Sequence, residues 1–278
     1  MGGSVLVGLD GTASSVAAVR WGAEEAAARG LPLHLLHSWA SQPRDVPAGQ
    51  QADTKQQYGA AALSLAETTA QELRPGLEVT TEEVPEHAVE ALLDRGRRAT
   101  MTVLGSRGHG AIAGFLLGSV SLHVLGRAAF PVVTVREEEP AAVWSRPEIV
   151  VGVQNTGGCH DPEPDDEAVL DFAFTAADAH GACLHVVRAS PDDAAEPPAG
   201  ERKVLVEALR PWRTRFPAVD VIAEAGAGRV VPVLLGACSR AGLLVIGRRL
   251  ERSPLPLGPV VLAVLHHARC PVAVIPRS

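Results

Sequence analysis

The chain has 278 residues, 46% hydrophobic and 21% charged, with a formal charge of -7. That length suits two domains of roughly 140 residues better than one, and the apolar fraction excludes a disordered chain. The negative balance argues against a nucleic-acid or anionic-membrane partner engaged through a broad basic surface. No apolar run reaches the length of a membrane span, and the start lacks a signal peptide's basic and apolar regions, so a cytoplasmic protein is expected.

Short apolar runs of strand length occur at 4–9, 33–39, 77–84, 101–105 and 131–135, and most read as buried on both faces. Between them, 14–29, 53–73, 86–98 and 119–128 are rich in Ala, Glu, Leu and Arg, as helices are. The series then repeats, with strands expected at 148–153, 182–189, 218–224, 243–247 and 271–275. Gly8 aligns with Gly152, Gly105 with Gly247 and Pro131 with Pro271. Alternating strands and helices predict an α/β fold: two tandem open parallel five-stranded sheets with helices on both faces. A charged, proline-containing connector at 136–148 puts the boundary near residue 140, giving domains 1–140 and 141–278. Segments 41–52 and 190–200, rich in Pro, Ser, Asp and Gly, read as loops after the second strand of each copy.

In open parallel sheets ligands sit beyond the carboxyl ends of the strands, at the point where strand order reverses. In the first copy those ends carry Asp10-Gly11 and the spacing Gly105-x2-Gly108-x9-Gly118-Ser119. Gly105 is expected to leave the strand with torsion angles that other residues resist, and Gly108 to let the backbone approach a ligand. Gly118 and Ser119 offer backbone N-H groups, a hydroxyl and the positive end of a helix dipole, which together suit phosphates. Arg107 and His109 add charge-assisted contacts. Asp10 would hold a ribose hydroxyl or a metal ion carried with the phosphates; the alternative is that it turns the chain or caps the next helix. Ser119 likewise reads as a helix N-cap if no ligand is present.

This long-gapped motif, with the opening Val7-Gly-Leu-Asp10-Gly and the following Pro131-Val-Val-Thr-Val, resembles the ATP-binding motif of the universal stress protein family over essentially the whole chain. The resemblance implies a flavodoxin-like or adenine-nucleotide α-hydrolase-like fold and ATP as ligand, with Mg²⁺ as its accompanying ion. It places Asp10, with Leu9, at the ribose or adenine, and His37, Ser38 and Trp39 beside the base. Leu104, Gly105 and Gly108 would form the triphosphate loop, and Gly118, Ser119 and Val120 would meet the phosphates. It further implies a stress-response or signalling module whose two copies pair through their fifth strands as a pseudo-dimer, with two chains able to form a homodimer. A nucleotide-free interaction scaffold and a slow ATPase are the alternatives.

The second copy departs at the same points. Gln154 stands for Asp10, Gly247-Arg-Arg-Leu250 for Gly105-Ser-Arg-Gly108, and Gly258-Pro259 for Gly118-Ser119. Leu250 adds a side chain at the approach point, and Pro259 removes a donor and the hydroxyl, so ATP is not expected here. Arg248, Arg249 and Arg252 either hold an anion or form a solvated basic loop. His34 and His37, three apart on a strand, face opposite sides, and His266-His267 reads as helix-end decoration. The four cysteines, Cys159, Cys183, Cys238 and Cys270, form no Cys-x-x-Cys pair and read as small buried apolar residues, while Trp21 and Trp144 read as packing anchors. Neither a Gly-x-x-x-x-Gly-Lys-Ser/Thr loop nor a Gly-x-Ser-x-Gly elbow occurs, so no catalytic residue is assigned.

Overall fold

A computed structural model describes residues 3–41, 51–106, 118–137, 148–153, 164–189, 200–249 and 257–277. The chain divides into two compact units, Met1–Ala141 and Ala142–Ser278.

The first unit runs β1 (Val5–Leu9), α1 (Ala13–Arg29), β2 (Leu33–Ser38), α2 (Gln51–Leu73), β3 (Val79–Val84), α3 (Ala88–Gly96), β4 (Met101–Ser106), α4 (Ser119–Arg127) and β5 (Val132–Arg136). Its strands lie parallel in the order β3-β2-β1-β4-β5. The chain winds outward from β1 through β2 to β3, then returns to lay β4 on the other side of β1. The crevice at the carboxyl ends of β1 and β4 is therefore the topological switch point. Register across the centre is Leu35 beside Val7, Val7 beside Val103 and Val103 beside Val133, all four without solvent exposure. Such Val/Leu runs, covered on both faces, account for the unbroken apolar pattern of the central strands.

One strand departs from that expectation. β3 carries Thr80, Thr81 and Glu82-Glu83 and is largely exposed or half-buried, as suits the outermost strand. α1 packs closely because Gly22 faces the sheet, where a Cβ would press on Val7 at 2.8 Å. It stops at Gly30, whose φ of 62° closes the helix by donating its N-H to Ala26 and Ala27. Trp21 is buried, as expected of an anchor; Trp144 lies outside the described residues.

The second unit repeats the plan with β6 (Glu148–Val153), α5 (Pro164–His180), β7 (Cys183–Ala189), α6 (Glu201–Ala208), α7 (Arg210–Arg215), β8 (Val221–Gly226), α8 (Val230–Ala237), β9 (Leu243–Arg249), α9 (Pro259–His267) and β10 (Val272–Arg277). Its parallel order is β8-β7-β6-β9-β10. Two short helices, α6 and α7, stand where the first unit has the single long α2. An aromatic cluster secures them: Phe174 of α5 stacks on Trp212 and Phe216 with centroids 5.5 Å apart in each case.

Candidate functional site

The turn after β1 is built around the Asp10 carboxylate. Its Oδ1 accepts hydrogen bonds from the Thr12 N-H at 3.0 Å, the Thr12 hydroxyl at 2.6 Å and the Ser15 hydroxyl at 2.5 Å, while the Asp10 N-H donates to Ser15 Oγ at 2.9 Å. This clasp fixes the entry to α1, so the turning role weighed for Asp10 is realised. The residue is nevertheless exposed at the mouth of the crevice. Gly11 follows with φ 77°, and a Cβ there would press on the Tyr58 ring, whose hydroxyl donates to the Gly11 carbonyl at 3.4 Å. Both its conformation and its neighbour require glycine.

Beside this turn, Leu9 and His37 pair in register, and His37 Nδ1 donates to the Leu9 carbonyl at 3.0 Å. That bond assigns the proton to Nδ1. His37 is 1% exposed, and the Tyr58 ring lies 6.4 Å from it, tilted by 56°. Ser38 is buried and donates to the Glu86 carbonyl at 2.5 Å, while Trp39 is half-buried. Glu83, the register partner of His37 on β3, keeps a buried Oε1 with no hydrogen-bond partner among the described residues. His34 points the other way, with Nδ1 on Thr80 at 2.8 Å and Nε2 on Glu82 at 3.0 Å. Among the described residues no group of three or more metal-ligating side chains gathers.

On the β4 side, Leu104 is buried and paired with Gly8. Gly105 lies within the strand, not beyond it, and its φ is not positive. Its glycine has another cause than the unusual torsion expected from the sequence: a Cβ would overlap the backbone carbonyl of Ser14, where α1 crosses β4. The Gly105 carbonyl accepts a hydrogen bond from Ser121 Oγ at 3.4 Å, tying the first turn of α4 to the end of β4. Arg107, Gly108 and His109 lie outside the described residues.

At α4 the N-cap is Gly118, and Ser119 is the first helical residue, not the cap. Among the described residues no side chain caps this helix, whose first-turn N-H groups have no partner within the helix itself. Among the described residues a Cβ on Gly118 would find only Ser121 Oγ, at 4.0 Å, so their packing does not demand glycine there. Ser119 is exposed and Val120 half-buried. The site therefore gathers Leu9, Asp10, His37, Ser38, Leu104, Gly105 and the α4 start at one end of the sheet. Sequence reading missed Ser15, Thr12, Tyr58 and Glu83; the hydroxyls after Asp10 were a readable capping signal, whereas Tyr58 and Glu83 are brought in by tertiary packing alone.

The second unit presents a different interior at the same place. Gly247 again needs to be glycine, but here a Cβ would overlap the guanidinium of Arg277. Arg277 is ion-paired with Asp166 at 2.7 Å, their side chains 2% and 4% exposed. Arg248 is buried too, and desolvation pushes its guanidinium below its usual pKa, so the solvated-loop alternative does not hold for it; Arg249 is exposed. Pro259 occupies the first helical position of α9, after Gly258. Gln154, Leu250 and Arg252 lie outside the described residues. His266 and His267 end α9 with rings 6.5 Å apart.

The sequence model of the universal stress protein family matches residues 1–136 and 154–276. A universal stress protein of Mycolicibacterium smegmatis is 32% identical over 289 aligned positions, covering 98% of this chain and 96% of its own. One of Mycobacterium tuberculosis is 33% identical, with coverages of 99% and 97%. Among solved structures, a universal stress protein from Archaeoglobus fulgidus superposes with a TM-score of 0.75 at 18% identity, covering 99% of this chain and 98% of that one, a likeness of fold. Two matched segments, relatives aligned end to end and the shared architecture together mean that the chain belongs to the universal stress protein family, as a tandem member.

Proposed function

We propose that the first unit binds one ATP at the β1/β4 switch point and serves as a nucleotide-dependent stress-response or signalling module, the second unit taking no nucleotide. The observation that carries this reading is the start of α4: a helix without a side-chain cap among the described residues, behind a glycine that those residues leave sterically open, joined by Ser121 to the end of β4. Such a terminus suits phosphate oxygens. The other end of the crevice suits an adenosine. Asp10 stands exposed for a ribose hydroxyl, the half-exposed Tyr58 ring offers an aromatic face, and the buried Glu83 Oε1 offers an acceptor to an exocyclic amine.

No cluster of protein ligands is present for a metal among the described residues. Mg²⁺ would be held by the phosphates and water, with Asp10 as the exposed carboxylate at the mouth of the crevice, and would neutralise phosphate charge. Pairing of the copies through their fifth strands belongs to the same reading; proline at Val133, by removing a mid-strand donor, should weaken it. Mass spectrometry of small molecules released from the freshly purified chain tests the reading. ATP or ADP in near-stoichiometric amount supports it. A ligand-free protein that also fails to take up added ATP establishes the scaffold alternative.

A further inference from the structure

The second unit holds a feature that nucleotide binding does not use. In the first unit Gly96, at the end of α3, lies beneath the ring of Phe130, the residue two before β5; a Cβ on Gly96 would overlap that ring. The repeat carries these two places to Cys238 and Cys270: Met101 corresponds to Leu243 and Pro131 to Pro271, so Gly96 maps to Cys238 and Phe130 to Cys270. The fold that presses a phenyl ring onto a glycine in one copy thus presses two thiols together in the other.

The local structure bears this out. Cys238 and Cys270 are 2% and 3% exposed and hydrogen-bonded sulfur to sulfur. The Cys238 thiol also reaches the Leu235 carbonyl at 3.7 Å. Ser239, Arg240 and Arg269, their neighbours in the chain, are exposed. Cys183 is placed differently: half-buried, with its pKa raised first by burial and then by the charges of Asp220 and Glu148.

We propose that Cys238 and Cys270 form a reversible thiol–disulfide pair oxidised by hydroperoxides. Hydrogen bonding from Cys270 favours the Cys238 thiolate, against the opposing effect of burial, which makes Cys238 the attacking sulfur. Its thiolate attacks the peroxide O-O bond and takes one oxygen as a sulfenic acid; the other oxygen leaves as water after protonation, or as an alcohol from an organic peroxide. The Cys270 thiol then attacks the sulfenic sulfur, the S-S bond forms and a second water departs. Overall two thiols lose two electrons and two protons to one peroxide. The new bond ties the end of α8 to the entry of β10, and a dithiol reductant reverses it.

The test exposes the folded full-length chain to hydrogen peroxide, alkylates the remaining thiols under denaturing conditions and maps them by peptide mass spectrometry. Two of the four thiols should disappear together, a Cys238–Cys270 cross-linked peptide should appear, and dithiothreitol should restore both. A Cys159→Ser/Cys183→Ser chain should behave identically, and Cys238→Ala should leave Cys270 open to alkylation. The proposal is overturned if both thiols stay alkylatable at doses that oxidise Cys159, if Cys238 stops at sulfinic acid, or if either pairs with another cysteine. The wild-type peptide map decides the matter even where a variant folds poorly.

Discussion

The third residue of the first helix is Ser15 in one unit and Asp166 in the other, and the two crevices diverge from there. In the first unit hydroxyls hold the turn: Ser15 and Thr12 clasp Asp10, the α1 backbone rests directly on Gly105, and a carboxylate is left exposed at the mouth. In the second, Arg277 reaches over Gly247 to Asp166 and the charges compensate each other inside the protein. A clasp of hydroxyls leaves polar capacity facing outward, whereas a buried ion pair spends its capacity internally. Loss of the glycine motif in the second copy is therefore accompanied by a rebuilt interior, and restoring the motif residues alone should not restore a site.

Because a buried charge left without its partner is costly, the largest effect should come from Asp166→Ala, expected to lower stability by about 3 to 5 kcal/mol. The matching Ser15→Ala in the first unit should cost only about 1 kcal/mol. Urea denaturation reads both, and equal costs would erase the contrast between clasp and ion pair.

Glycine substitutions sharpen it further. Gly105→Ala places a methyl group against the Ser14 carbonyl and should cost about 1 to 3 kcal/mol, shifting α1. Gly118→Val meets open space among the described residues, so stability should stay within about 0.5 kcal/mol while ATP affinity falls at least ~10-fold. A folded Gly118→Val chain with undiminished affinity would move the phosphates elsewhere.

The smallest effect concerns pH. The Arg95 guanidinium, and then His34, hold the Glu82 carboxyl below its ordinary pKa on the exposed β3 edge. A depressed carboxylate stabilises the fold above its unfolded pKa and loses that contribution as pH falls through the lower folded value. Glu82→Gln should flatten the acid side of the stability profile by less than about 1 kcal/mol, since the group is partly solvated. An unchanged profile between wild type and variant would show the pair to be inert.

The repeat, the strand and helix order and the glycine spacing were all readable because they are written locally, in periodicity and punctuation. Contacts between distant positions were not. Gly105 was expected to be glycine for its torsion, yet the reason is α1 passing over it; the N-cap role weighed for Ser119 as the alternative to phosphate binding falls to Gly118. Arg248, weighed either as an anion holder or as part of a solvated basic loop, is buried, and Arg277 gave no sign of reaching Asp166. Cys238 and Cys270 matched the small buried residues expected, but their mutual contact emerges only when the repeat is laid on the fold; Cys183 is half-buried, and Cys159 lies outside the described residues.

Calorimetric titration of ATP into the intact chain, beside the Gly118→Val and Gly258→Val variants, tests the asymmetry of the two units most directly. One site per chain is expected, lost or weakened at least ~10-fold in Gly118→Val and untouched in Gly258→Val. Two equivalent sites, or a single site that responds to Gly258→Val and not to Gly118→Val, would contradict the assignment of the nucleotide to the first unit.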